Sequence, residues 1–151
     1  MKELNSDILS FFEEQGFVIV NTLNSDGSIH SSCKGIVAIE KEGVAYLLDL
    51  YHGRTFKNLK ENKNITVTAV DEHRYIGYAL LGVAEITTKD DISDDIYKLW
   101  EKNVSKRASK RLIKNLKETH KVKHHPEAMF PKPKYLILFK IENVVDLAPG
   151  R

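Results

Sequence analysis

The sequence has a single cysteine, Cys33, and lacks any long apolar run. One thiol cannot form an intrachain disulfide, so the hydrophobic core has to hold the fold, which fits a reducing compartment. A helix that crosses a membrane needs roughly 18 or more consecutive apolar residues. The chain starts with Met-Lys-Glu-Leu, which is not the pattern of a signal peptide. We therefore expect a cytoplasmic protein without membrane spans.

Several motifs of enzyme chemistry are also missing. The sequence has no glycine-rich loop of the Walker type, no Ser-His-Asp arrangement and no pair of carboxylates at a spacing typical of hydrolases. His124 and His125 are adjacent and lack the spacing of zinc ligands, so we predict no metal site. With 151 residues, of which 42% are hydrophobic, the chain is expected to form a single domain over residues 1–151.

The net charge of +2 conceals a strongly basic segment. Residues 98–123 hold ten Lys or Arg and two Glu, a net of +8, so the remainder of the chain carries −6. Apolar residues recur every fourth position at Ile96, Trp100, Val104, Ala108, Leu112 and Leu116. We predict a basic helical insertion over about residues 91–120 that begins at the acidic cluster 90–95 and breaks near Ser105 or Ser109. Its lysines fit a solvated helix face, with nucleic acid as an alternative partner.

Most of the chain shows the pattern of β-strands joined by tight turns. Turn signals occur at residues 24–27, 40–43 and 71–74, between segments rich in β-branched and aromatic residues. A short amphipathic helix over Leu4–Phe12 precedes them, and a long strand over Tyr75–Thr87 contains Gly77 and Gly82 as bulge positions. The final strand is expected from Tyr135 to Leu147. These hairpins predict antiparallel neighbours in a mainly β fold with peripheral helices.

The segment over residues 46–70 has a strand, the tripeptide Gly53-Arg54-Thr55, a short polar helix and another strand. A helix start offers free backbone N–H groups and the positive end of the helix dipole. Arg54 and Thr55 would add a guanidinium and a hydroxyl at the same point, with Lys57 and Asn58 behind them. This combination predicts an anion site, and a phosphate fits it best. The alternative interpretation is an exposed turn in which Thr55 is an ordinary N-cap.

This segment resembles the phosphate-binding part of the FMN-binding split β-barrels, the pyridoxamine 5'-phosphate oxidase family. Residues 17–33 resemble the first hairpin of that family, residues 79–86 its strand with a central Gly-x-Ala, and residues 133–141 give a weaker match. The resemblance implies a mainly β (α+β), six-stranded antiparallel split barrel. It also implies FMN bound non-covalently at a homodimer interface and a flavin-dependent oxidoreductase that acts on a small molecule.

The resemblance assigns a set of candidate cofactor residues. The FMN phosphate would contact Arg54, Thr55, Lys57 and Asn58; the ribityl chain and ring would contact Ser31, Ser32, Cys33 and Lys34; and the ring edge would contact Leu48 and Asp49. The family has a lysine where this chain has Thr55, and pyridoxamine phosphate oxidase has a cationic side chain where this chain has Ser32. These differences remove positive charge and argue against the oxidase reaction itself. No catalytic residue is assigned.

Several alternatives follow from individual residues. Asp49 could face solvent or pair with Arg54. Cys33 fits a buried, small hydrophobic residue better than a redox thiol, and Trp100 fits a core anchor better than a flavin-stacking residue. A split barrel could instead hold the deazaflavin F420 or haem, with His30 or the His124-His125 pair as the haem ligand. A flavin carrier or sensor without turnover, and a binding module that uses the basic helix, complete the alternatives.

Overall fold

The computed structural model describes residues 1–117 and 132–148. Three α-helices and seven strands occur among these residues. In chain order they are α1 (Ser6–Glu14), β1 (Val18–Leu23), β2 (Ile29–Lys34), β3 (Ile36–Glu40), β4 (Val44–Asp49), α2 (Arg54–Glu61), β5 (Asn64–Asp71), β6 (Ile76–Thr88), α3 (Asp94–Lys117) and β7 (Tyr135–Asp146). A 3₁₀ turn at Lys89–Asp91 precedes α3. No helix within the described residues is both long and apolar enough to span a membrane.

The strands form one antiparallel sheet in the order β2-β1-β5-β6-β7-β4-β3. This confirms the predicted mainly β split barrel, with seven strands instead of six. The additional strand arises at Gly35, which separates β2 from β3 and sends them to the two ends of the sheet. Because β2 and β3 are not paired with each other, the barrel is open along the line between them.

Two glycines permit close backbone contacts that shape the sheet. The register between β6 and β7 shifts at Leu81 and Gly82, as expected for the predicted bulge. A Cβ atom at Gly82 would overlap the carbonyl oxygen of Lys140, so only glycine fits there. Gly43 has φ +89° in the β3–β4 turn and lies against the backbone of Lys2. The N-terminal segment is thereby fastened to the barrel.

The inner face of the sheet forms the main hydrophobic core with α1 and Leu59 of α2. Its largest fully buried side chains include Phe12, Leu47, Leu80 and Phe139. A polar group buried there without a partner would be costly, and no such side-chain atom occurs among the described residues. The core thus fixes the barrel.

A second hydrophobic cluster attaches α3 to the barrel. It contains Val37, Leu48, Ile92, Trp100, Val104 and Leu136. Trp100 is therefore a core anchor, as predicted. The helix runs from Asp94 to Lys117 without the predicted break, because Ser105 and Ser109 are exposed and do not interrupt its hydrogen bonding. The side chains of Leu112 and Leu116, and residues His124 and His125, lie outside what the structure describes.

Candidate functional site

The first turn of α2 is open at its N-terminus. The helix begins at Arg54, and Gly53 is its N-cap with no side-chain capping bond. The N–H groups of a helix's first turn have no partner within the helix and carry the positive end of the dipole. Thr55 is the second helical residue, so the interpretation of Thr55 as an N-cap is wrong. The helix start is left available to an anion.

Two hydroxyl groups meet beside this helix start. Ser32 Oγ on β2 lies 3.1 Å from Thr55 Oγ1 on α2. The pair shares one hydrogen bond, and two hydroxyl groups have two hydrogens, so one remains to donate elsewhere. Thr55 itself is buried and Ser32 half-buried. We call Arg54, the Ser32–Thr55 pair and the first turn of α2 the anion cradle.

Positive charge gathers around the anion cradle. Burial first, and then the charges of Arg54 and Lys34, hold the pKa of His30 below its usual range. Asp26, in the β1–β2 turn, is the nearby acid: hydrogen bonds from Ser28 lower the pKa of its carboxyl most, and the charge of Arg54 lowers it slightly further. A protonated His30 is disfavoured here because the ring is partly buried and because the nearby charges of Arg54 and Lys34 are positive. A bound anion would relieve that repulsion.

Asn58 holds α2 in place. Its Nδ2 donates to Thr22 Oγ1 and to Asn24 Oδ1, both at 3.0 Å. These bonds use both amide hydrogens, so the predicted direct contact between Asn58 and a phosphate does not fit this arrangement. Asn58 instead ties the helix to β1 and its following turn. Lys57 is exposed on the same helix, and its N–H closes the first helical turn on Gly53 O at 3.3 Å.

A cavity of about 570 Å³ lies at the open line of the barrel. This volume falls within the range of small-molecule and cofactor sites. Its walls come from the β2–β3 junction, the end of β4, the segment before β1 and one face of α3. The lining residues are Gly16, Phe17, Cys33, Lys34, Gly35, Ile36, Val37, Leu48, Asp49, Leu50, Tyr51, Trp100, Asn103, Arg107 and Lys110.

Helix α3 forms one wall of this cavity, whereas the sequence predicted that its basic face would be solvated. Arg107 packs its guanidinium against Gly35, where an added Cβ would lie 3.3 Å from Nη2. Asn103 Nδ2 donates to Val37 O at 2.9 Å, and Trp100 closes the apolar side. Lys110 completes the wall. Part of the basic segment therefore faces a cavity, a role that the sequence interpretation missed.

Lys34 and Asp49 form an ion pair in the cavity wall. Their side chains are 8% and 13% exposed. Asp49 Oδ2 accepts hydrogen bonds from Lys34 Nζ and from the hydroxyl of Tyr135, the latter at 2.7 Å, and Oδ1 accepts from Tyr51 N at 3.3 Å. The alternatives for Asp49, an exposed carboxylate or a pair with Arg54, are wrong. We call Lys34, Asp49 and Tyr135 the triad.

An aromatic stack joins the triad to α2. The rings of His52 and Phe56 are stacked at 4.3 Å between centroids, and Tyr135 meets Phe56 edge-on at 4.9 Å. Burial, together with the bond to Asp49, raises the pKa of Tyr135 far above its usual range, so its hydroxyl stays protonated and donates. Sequence reasoning missed Tyr135 and His52, since only the pairing of β4 with β7 sets Tyr135 opposite Asp49.

The predicted cofactor residues on β2 divide between two faces. Alternation along the strand leaves His30, Ser32 and Lys34 half-buried on the side of the cradle and the triad. Ser31 and Cys33 are exposed on the other side, where Ser31 Oγ donates to Asn21 Oδ1 at 2.7 Å. Cys33 also borders the cavity. Within residues 1–117 and 132–148, no cluster of three His, Cys, Asp or Glu side chains is arranged for a metal.

The sequence model of pyridoxamine 5'-phosphate oxidase matches residues 4–134. The chain belongs to the pyridoxamine 5'-phosphate oxidase family. This confirms the predicted resemblance, and the match also includes the region of α3 and ends just before β7. No curated protein matches the chain significantly.

Solved structures share the fold of this family member at low sequence identity. HupZ from Group A Streptococcus is 18% identical, with a TM-score of 0.65 over 97% of this chain and 96% of that chain. An FMN-binding protein from Syntrophomonas wolfei gives 0.64 at 10% identity, over 95% and 85% of the two chains. A general stress protein 26 relative from Clostridium acetobutylicum gives 0.61 at 17% identity, over 98% and 93%. These likenesses establish the split-barrel fold.

Proposed function

We propose that this protein binds FMN and acts as a flavin-dependent oxidoreductase on a small molecule. One observation carries the proposal: the uncapped start of α2 has Arg54 and the Ser32–Thr55 hydroxyls, and Lys34, two residues beyond Ser32 on β2, lines a cavity of about 570 Å³. The first feature suits a phosphate, and the second has room for a planar ring. Membership of the family and an FMN-binding structural relative support the same ligand.

Each part of the site has a distinct task under this proposal. Arg54 and the N–H groups of α2 hold the phosphate, and the Ser32–Thr55 pair supplies the spare hydroxyl hydrogen. Asn58 keeps α2 in position through Thr22 and Asn24. Bound FMN supplies the hydride chemistry, while the protein orients the ring and limits access of water. Trp100 and Leu48 offer an apolar wall.

The same proposal includes a homodimer with FMN near the interface. The outer face of the sheet exposes apolar side chains at Ile19, Ile29, Val70, Val145 and Leu147, which range from 39% to 71% exposed. No element among the described residues covers this face, and a contiguous exposed apolar surface typically marks an interface. We infer that a second copy covers it, beside the exposed Ser31 and Cys33. Sedimentation as a monomer at micromolar concentration with FMN bound would contradict this inference.

The test is the absorbance spectrum of the purified protein, before and after addition of FMN. NADH or NADPH is then added under nitrogen. Flavin bands that bleach support the oxidoreductase, and flavin bands that persist favour a carrier or sensor. Arg54→Ala protein is the matched sample, because it should bind FMN about 10- to 100-fold more weakly while it stays folded. Protein that shows no bands and no rise in melting temperature with FMN contradicts the proposal, and Soret or deazaflavin bands would indicate haem or F420.

A further inference from the structure

The triad stands out because it buries two opposite charges at the edge of a cavity. Burial of a charge is costly unless a partner compensates it. Lys34 and Asp49 compensate each other, and Tyr135 adds a hydrogen bond to the same carboxylate oxygen. A buried ion pair is often no more stabilising than apolar residues of similar size. A contribution to folding stability therefore does not by itself explain why an ion pair lies in the cavity wall.

Lys34 lies between the anion cradle and the cavity, the two parts of the proposed FMN site. Lys34 lies two residues beyond Ser32 on the same face of β2, about 7 Å along the strand. Its side chain lines the cavity, and its charge is felt at His30 beside the cradle. A ligand that spans from the cradle into the cavity has to pass this ammonium group.

Asp49 and Tyr135 restrict where that ammonium group can lie. Asp49 is the last residue of β4 and is paired in register with Tyr135 at the start of β7. The buried ring of Tyr135 is packed against Phe56 of α2, so its hydroxyl has a fixed direction. The carboxylate is thus held by the sheet, and the lysine is held by the carboxylate.

We propose that Lys34 and Asp49 together set the preference of the site for reduced over oxidised FMN by holding their opposite charges in balance beside the ring, and that Tyr135 is a positioning residue that holds Asp49. This inference rests on the proposed function. Reduced FMN carries additional negative charge on its ring at neutral pH, so a nearby cation favours it and a nearby anion disfavours it. Charge placed close to the flavin ring is one of the means by which proteins tune its electronics. Here the pair keeps that charge balanced.

The experiment measures the dissociation constants of oxidised FMN and of dithionite-reduced FMN for each variant. The ratio of the two constants reports the preference for the reduced form. Lys34→Met leaves Asp49 unbalanced and should lower that preference about tenfold. Asp49→Asn leaves Lys34 unbalanced and should raise it by a similar factor. A tenfold change corresponds to about 30 mV in the potential of a two-electron couple.

The double variant Lys34→Met/Asp49→Asn gives the decisive comparison. It removes both charges and should return the ratio to within about threefold of the wild type, since the net charge is again zero. Tyr135→Phe keeps both charges and should change the ratio by less than either single variant. If Lys34→Met does not fold, comparison of the double variant with Asp49→Asn isolates the charge of Lys34.

A matched control is the exposed ion pair between Lys140 and Glu85, which are 2.9 Å apart and 40% and 51% exposed. Lys140→Met and Glu85→Gln make the same charge changes outside the cavity and should leave the ratio unchanged. This inference is overturned, and the proposed function is not, if Lys34→Met and Asp49→Asn bind FMN but shift the ratio in the same direction or leave it unchanged. Wild-type protein that binds neither form of FMN overturns the proposed function with it.

Discussion

The anion cradle and the triad are neighbours, yet the cation of the cradle is exposed to solvent and the cation of the triad is buried in an ion pair. In the cradle, Arg54 is exposed, and after burial its charge, followed by that of Lys34, disfavours protonation of His30. In the triad, Lys34 is buried and Asp49 balances it. The difference follows from solvation, because an exposed guanidinium remains hydrated until an anion arrives, whereas a buried ammonium needs its counter-charge from the protein. The exposed charge of Arg54 is therefore the one that the negative charge of a ligand would balance.

Removal of one charge from the triad should have the largest effect on stability. Lys34→Met leaves a buried carboxylate without its cation, and we expect the free energy of unfolding to fall by about 3–5 kcal/mol. Lys34→Met/Asp49→Asn should recover most of this loss, because no buried charge remains. Urea denaturation of both proteins without FMN measures the difference. An equal loss in the double variant would show that packing of the lysine stem, and not charge, stabilises this wall.

Removal of charge from the cradle should affect binding instead of folding. Arg54→Ala should weaken FMN binding by about 10- to 100-fold, since a charge-assisted hydrogen bond contributes about 1.5–3 kcal/mol. The free energy of unfolding should change by no more than about 0.5 kcal/mol, because Arg54 is exposed. Flavin fluorescence titration and urea denaturation check the two parts. The control is Lys63→Ala, which removes an exposed lysine just after α2. An equal loss of affinity in that variant would show that FMN is attracted by general positive charge and not by the anion cradle.

Asn58 should show an intermediate pattern, because it supports the cradle without belonging to it. Asn58→Ala removes the donor to Thr22 and to Asn24 and should cost about 1–3 kcal/mol of unfolding free energy. FMN affinity should fall as well, since the start of α2 loses its attachment to β1. Asn58→Asp has almost the same shape but no N–H donor, so thermal denaturation should show a similar loss. A stable Asn58→Asp protein would contradict this role.

The smallest effect concerns pH. The pKa of His30 lies below its ordinary value of 6.5 in the folded protein, so the unfolded chain binds a proton more readily as pH falls through that range. The contribution of His30 to stability is therefore complete above about pH 6.5 and is lost as pH falls toward its folded pKa. His30→Gln should remove this component from the pH dependence of the melting temperature. Identical profiles for the two proteins between pH 5 and about pH 7 would refute the assignment.

Local sequence was sufficient for the features that depend on neighbouring residues. Gly53 and Arg54 mark the start of α2, since glycine ends the extended segment and the polar run that follows favours a helix. The bulge at Gly82 was likewise readable, because glycine in a long strand indicates a close approach of backbone. The stripe through Trp100 and Val104 predicted which face of α3 is buried. In each case a residue type and its nearest neighbours decide the outcome.

Partners distant in the sequence could not be predicted in this way. Lys34 and Asp49 are 15 positions apart, and Tyr135 lies 86 positions from Asp49. Their meeting depends on the antiparallel pairing of β4 with β7 and on the divergence of β2 and β3 at Gly35. Asn58 was assigned to the phosphate for the same reason, since nothing in its helix reveals the acceptors on β1 and in the turn that follows it.

The sequence by itself determined the strands, the helix start that suits an anion and the family to which the chain belongs. Hydrophobic periodicity and turn residues act over a few positions, so they can be read directly from the chain. Only the tertiary structure decided that Arg107 and Lys110 face a cavity, that Asp49 is paired with Lys34, and that Ser31 and Cys33 lie on the opposite face from Ser32. These outcomes depend on sheet register and on charge solvation, which arise when distant strands assemble.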